Sequence, residues 1–236
     1  MSSENSPVVR PSRLRRVGKY FLIVVAFLAV AAVSAHFIWK YSGSSQWEPL
    51  RESGGIKLYT LKAPGTTLNQ IKGVTRVRST LTDAMSLAQD PDVCEWAHCY
   101  EAKMFHRVNE RLQYYTFRWD YPFNFRPREF VVKQQFSRIP ETKALFQEVI
   151  AAPDTLPPND CCFRVRTMHN TWRFTPIGNG ELEIEYIINA DDGFPYPLAN
   201  LGGPQFMHSI LSKMQMILDK AHEKFPNAKY DLVAGV

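Results

Sequence analysis

Between Glu181 and Ile188 apolar and polar residues alternate without a break. Leu182, Ile184, Tyr186 and Ile188 fall on one face of an extended strand, and Glu181, Glu183 and Glu185 on the other. A period of two marks a half-buried antiparallel strand. The same alternation groups Tyr115, Phe117 and Trp119 within residues 111–121, and Phe130, Val132 and Phe136 within residues 130–136. Over residues 162–167 it sets Phe163 and Val165 opposite Arg164 and Arg166. Residues 55–62 and 70–79 read as two more strands. Gly178-Asn179-Gly180, between two extended runs, predicts a hairpin.

Helical periodicity is rarer. Leu81, Ala84, Met85 and Ala88 recur at helical spacing behind Thr80 or Thr82 as cap. From Pro204 to Lys224, Phe206, Met207, Ile210, Leu211, Met214, Ile217, Leu218 and Ala221 form one wide apolar stripe. Pro204 suits a first helical turn, and Gly202-Gly203 allows a sharp entry into it. The pattern as a whole predicts an α+β fold, an antiparallel sheet facing one long carboxy-terminal helix.

A different pattern opens the chain. Residues 20–39, YFLIVVAFLAVAAVSAHFIW, contain no Lys, Arg, Asp or Glu. They match the roughly 20 residues that a helix needs to cross a bilayer, and they are apolar on every face, unlike a buried core helix. Residues 1–19 form a basic arm that the charge asymmetry assigns to the cytoplasm, with the rest exported to an extracytoplasmic space, the periplasm in a bacterium. Two readings stay open: an uncleaved signal anchor, or a signal peptide cut after Val33-Ser34-Ala35 that releases a secreted protein. Residues 40–46 read as a short flexible linker, and residues 47–236 as one domain, with a Pro-containing surface loop at 151–160.

Composition narrows the function. With 45% hydrophobic and 22% charged residues the chain is an ordinary globular one. The net charge of +5 suggests nucleic acid until its distribution is read. Six of the 28 basic residues and one of the 23 acidic ones lie in residues 1–45, which leaves 22 of each sign in the domain. A neutral domain lacks the basic surface that phosphate backbones require, so no nucleic-acid partner is expected.

Catalytic and metal signatures are weak. Cys94, Cys99, Cys161 and Cys162 match no standard zinc spacing, although Cys94, His98 and Cys99 form a conceivable metal corner. A disulfide is possible in an exported protein, but adjacent Cys161 and Cys162 look too close to bridge each other. His169 and His208 are candidate pocket residues, with packing the commoner role. Asp191-Asp192 reads as a solvated loop pair. No nucleophile elbow, P-loop or dinucleotide fingerprint occurs. No cofactor, no metal and no catalytic residue is expected.

Three stretches carry a family likeness: WDYPFNFRPREFV at 119–131, WRFTP at 172–176 followed by Gly178 and Gly180, and DDGFPYPLAN at 191–200. In this order they resemble the motifs of START domains, the steroidogenic-acute-regulatory-related lipid-transfer family, with Glu129 where the family has Asp. Trp47, Gly55-Ile56-Lys57-Leu58-Tyr59 and Trp96 add weaker matches, and the likeness runs over about 47–225. Little chain precedes Trp47 to form the family's first helix.

The resemblance implies a helix-grip fold around an apolar tunnel for one lipid, with residues 192–203 and the last helix as gate. The lipid would be a sterol, a phospholipid or another apolar molecule. Candidate wall residues are Phe117, Trp119, Phe130, Val132, Phe163, Val165, Leu182, Ile184 and Tyr186; candidate lid residues are Met207, Leu211 and Met214. Each has ordinary core packing as its alternative. The resulting expectation is a membrane-anchored lipid-binding or lipid-transfer protein. A cyclase-like or hydrolytic enzyme on the same scaffold, or an interaction domain without a pocket, are the rivals.

Overall fold

The alternating faces bury against one another in a single curved sheet. The structure is a computed structural model that describes residues 13–97, 99–122 and 124–234. His98, Phe123, most of the basic arm and the side chain of Trp96, all used above, lie outside the described residues.

The chain begins with α1 (Arg13–Tyr41), then β1 (Glu48–Ser53), β2 (Ile56–Leu61) and β3 (Gln70–Arg78). Two short helices follow, α2 (Leu81–Gln89) and α3 (Val93–Trp96). Next come β4 (Cys99–Asn109), β5 (Leu112–Trp119), β6 (Arg128–Ile139), β7 (Ala144–Ala151), β8 (Phe163–Arg164), β9 (Thr167–Gly178), β10 (Glu181–Ile188) and β11 (Ala190–Asp191). The chain closes with α4 (Tyr196–Leu218) and α5 (Ala221–Lys224).

The strands join in the order β1-β2-β3-β10-β9-β7-β6-β5-β4, all antiparallel, with β11 on β9 and β8 parallel to β6. The helix-grip architecture expected from the sequence is therefore present. The hairpin at 178–180 links β9 to β10, with Asn179 in the left-handed region at φ 53°. Thr80 caps α2 and forms a capping box with Asp83, as its position predicted.

Helix α4 departs from expectation at its start. It begins at Tyr196, with Pro197 in its first turn, and takes Gly202, Gly203 and Pro204 into its interior. Glycine and proline are poor there on propensity alone, but contact with the sheet overrides propensity. A Cβ on Gly203 would lie 2.3 Å from Cδ1 of Ile71, and one on Gly73 would lie 2.3 Å from Cδ1 of Leu211. The two glycines let α4 lie close on β3. Met207 and Leu211 are fully buried there, in a core shared with Ile56, Leu58, Leu182 and Ile184. The expected gate loop thus shortens to 192–195.

The linker also differs. Lys40 and Tyr41 are helical, and the segment after them is hydrogen-bonded rather than loose. Lys62 Nζ donates to the carbonyls of Lys40, Ser42, Ala63 and Thr66 at 3.3, 3.2, 3.1 and 2.6 Å. Gly65 N–H donates to Lys40 O at 2.8 Å, and Trp39 Nε1 to Thr67 O at 2.8 Å. The same loop holds α4, because Asn200 Nδ2 donates to Thr67 O and Asn200 Oδ1 accepts from Asn69 N–H, each at 2.9 Å.

Both cysteine pairs are bonded, Cys94–Cys99 and Cys161–Cys162. The second corrects the expectation that neighbours sit too close. Residues 160–162 are bends rather than strand, so the two side chains do not diverge to opposite faces.

Candidate lipid-binding cavity

Where the sheet curves away from α4, it leaves a cavity of about 510 Å³, within the usual range for small-molecule sites. Strands β4, β5, β6, β7, β9 and β10, with Ile71 of β3 and Ala190 of β11, form its sheet side, and α2, α3, α4 and the loops at 68–69, 120–122 and 192–194 close the rest. Of the candidate residues, Phe117, Trp119, Phe130, Tyr186 and Met214 line it. The ring of Phe117 stacks on Phe130 with centroids 4.6 Å apart, and Trp119 meets Phe206 of α4 edge-on at 4.9 Å. Tyr186 stacks on Trp172 at 3.7 Å.

The other seven stand elsewhere. Leu182, Ile184, Met207 and Leu211 are in the core between sheet and helix. Val132 and Val165 pack into a second cluster with Phe130, Val149 and Met168. Phe163 is half exposed, against Gly193 and beside the Arg128 guanidinium. Alternation shows which face a residue occupies, whereas the distance from α4 decides whether that face meets a packed core or open space.

The strands also bring amides to the cavity, which the apolar candidates had not included. Gln113, Gln134 and Gln147 are buried in its lining, and Asn170 joins them. Three of them form a belt, since Gln113 pairs with Gln134 across β5 and β6, and Val149 with both Gln134 and Asn170 across β6, β7 and β9, while Gln147 stands two residues from Val149 on the same face of β7. Gln113 Nε2 donates to Gln134 Oε1, and Gln134 Nε2 donates to Ala88 O at 2.8 Å. Asn170 Nδ2 donates to the Tyr186 hydroxyl at 3.3 Å. The signal was in the alternation itself, because 113 and 134 are the polar members of faces otherwise occupied by Tyr115, Phe117 and Phe130, Val132.

Burial pushes the phenols of Tyr115 and Tyr186 well above their ordinary range, and for Tyr115 the neighbouring Tyr186 adds to the shift. Tyr121 is raised as well, first by burial and then by the carboxylate of Asp192, to which its hydroxyl donates. Asp192 is therefore no freely solvated acid, for its Oδ1 also accepts from Phe194 N–H at 2.9 Å.

Arg128, also buried, donates from Nε to Asp192 O at 2.8 Å and lies 4.5 Å from the Tyr121 ring centroid. Glu129 pairs with Arg164, whose guanidinium further donates to the carbonyls of Pro153, Leu156 and Pro157, fastening the 151–160 loop to β6. His169 bonds Glu148 on an exposed surface at 2.8 Å, and His208 lies against Ser53 O. Neither lines the cavity. The disulfide takes Cys94 and Cys99 out of any metal corner as thiolates.

No family model matches the chain. An uncharacterised protein of Pseudomonas aeruginosa is 23% identical over 161 residues, covering 66% of this chain and 79% of that protein. Among solved structures, a STAR-related lipid transfer protein from Xanthomonas axonopodis superposes with a TM-score of 0.68 at 20% identity, over 73% of this chain and 98% of that one. Human StAR-related lipid transfer protein 5 gives 0.61 at 16% identity, over 86% and 99%. The chain has the START helix-grip fold.

Proposed function

We propose that the protein is a membrane-anchored lipid carrier that holds one lipid between its sheet and α4. The cavity of about 510 Å³ carries this reading, because a lipid leaving a bilayer needs an apolar, preformed enclosure. Burial stabilises such a guest by roughly 0.8 kcal/mol per methylene. The fold is that of proteins named for lipid transfer, which supports the same reading.

Helix α1 supplies the anchor in this proposal. Its stretch Val17–Tyr41 is long and apolar enough to cross a membrane, and none of it is buried in the protein. The basic arm stays in the cytoplasm and the domain is exported, where the two disulfides persist. His36 of α1 lies 3.3 Å from the Tyr196 hydroxyl, so the first turn of α4 sits beside the anchor, with Leu198 and Leu201 exposed. The lipid enters there as Phe206 separates from Trp119.

Full-length protein, transferred from its own membrane into nanodiscs and released for native mass spectrometry, is expected to retain one lipid mass per chain. A chain that carries none, and takes none from a lipid panel, overturns the proposal.

A further inference from the structure

We infer that the cavity is shaped for an uncharged lipid whose hydroxyl-bearing end lies against the amide belt, and that it rejects lipids with an anionic group at that end. This rests on the lipid-binding reading above and names the class of cargo.

The first observation is electrostatic. The described residues that line the cavity include no Lys, Arg or His. The acidic ones are Asp90, Asp120 and Asp192, and all three reach solvent. Each is engaged: Asp90 by Lys224, Asp120 by the Tyr100 hydroxyl at 2.8 Å, and Asp192 by Tyr121. A phosphate or carboxylate carried inside would lose its hydration shell and meet no opposite charge.

The second is the stock of unused hydrogen-bonding groups. Among the described residues the Tyr115 hydroxyl and the Gln147 amide make no hydrogen bond, and neither is sealed off from solvent-sized space. The belt also has a fixed polarity. Because Gln134 Nε2 donates to Ala88 O, its Oε1 must receive Gln113 Nε2, and Gln113 Oε1 is left buried without a donor. Gln113 Oε1 is sealed from a guest, but within reach the Tyr115 hydroxyl and Gln147 Nε2 can donate and Gln147 Oε1 can accept, and all are neutral. A lipid hydroxyl both donates and accepts, so it satisfies such a wall, while an anion only accepts. Buried polar groups demand partners, so the wall discriminates as well as tolerates.

The test uses the full chain in phosphatidylcholine nanodiscs and a monooleoylglycerol bearing a photoreactive diazirine on its acyl chain. Labelling is mapped to cavity residues, and unlabelled monooleoylglycerol and oleoyl-lysophosphatidate, which differ by the phosphate alone, compete for it. Monooleoylglycerol is expected to compete at concentrations at least about ten-fold lower. Tyr115→Phe and Gln147→Leu are expected to weaken it about 3- to 10-fold each, and to leave competition by octadecane unchanged. Equal or tighter competition by lysophosphatidate overturns the inference, as do unchanged affinities in both variants. Lysophosphatidate winning would leave the carrier reading standing, whereas no saturable labelling by this probe or by a lysophosphatidate bearing the same diazirine would remove that reading as well. The comparison of the two competitors needs no variant, so misfolding cannot obscure it.

Discussion

Gly73 of β3 and Leu211 of α4 meet where the strand contributes no side chain and the helix side chains rest on its backbone: a Cβ on Gly73 would stand 2.3 Å from Leu211 Cδ1 and 3.0 Å from the Met207 sulfur. Leu211 and Met207 are both fully buried, so neither can swing aside into solvent. Gly73→Ala is expected to cost about 1–3 kcal/mol through overpacking. A fall in the chemical-denaturation midpoint of the full chain checks this, and an unchanged midpoint refutes the close contact.

Met207 and Met214 share a helix but differ in surroundings. Met207 is sealed in the core, whereas Met214 is partly buried and borders the cavity. Met207→Ala should cost about 2–5 kcal/mol by leaving a void. Met214→Ala only enlarges existing space, so it should cost less than half as much. Thermal unfolding of the two variants side by side decides the matter, and equal losses would show that the two positions are equally packed.

Arg164 and Glu129 form a pair whose side chains are 13% and 7% exposed. Arg164→Ala leaves the buried Glu129 carboxylate without its counter-charge, with only the Asn159 amide still donating to it, and frees three loop carbonyls, for an expected cost of about 3 kcal/mol. Adding Glu129→Gln should recover part of the loss, because the buried charge is then gone. Non-additive melting temperatures across the four proteins would support the coupling.

The Tyr115 phenol is raised above its ordinary value near 10, by burial first and by neighbouring Tyr186 second. A raised native pKa means that folding favours the protonated form. Its contribution to stability is complete below pH about 10 and fades as the pH climbs toward the native value. Spectrophotometric titration should therefore show phenolate from this residue only when the fold gives way. Tyr115→Phe should flatten the loss of stability above pH about 10, and a variant with an unaltered alkaline limb would contradict the assignment.

Much of the fold was legible because β10 alternates cleanly and is a central strand, flanked by β3 and β9. β4 was not legible. Its register shifts at Tyr100/Lys103, Met104/His106 and Arg107/Asn109 reset the period of two each time, so no face runs far enough to be recognised. The start of α4 was hidden for a different reason: Gly202-Gly203-Pro204 looks locally like a boundary, and only the nearness of β3 explains a helix passing through it.

In the cavity, the aromatic members of the wall followed from alternation, but depth did not. Leu182 and Tyr186 occupy the same face of the same strand, yet Leu182 packs in the core while Tyr186 borders open space. The amides at 113 and 134 are hidden because a polar residue on an apolar face reads as an interruption, and Gln147 because β7, its strand, is not evident from the alternation.

The fastening of residues 40–46 by Lys62 bears on how cargo could travel. A free seven-residue chain has a span of about 15 Å and would let a domain tumble and lean toward a second membrane. Here the slack is taken up, with the Lys40 and Ser42 carbonyls both held by Lys62. On the proposed anchoring, such a protein works as a doorman rather than a courier: it lifts a molecule from the sheet of lipid it stands on, and something else must come alongside to collect it.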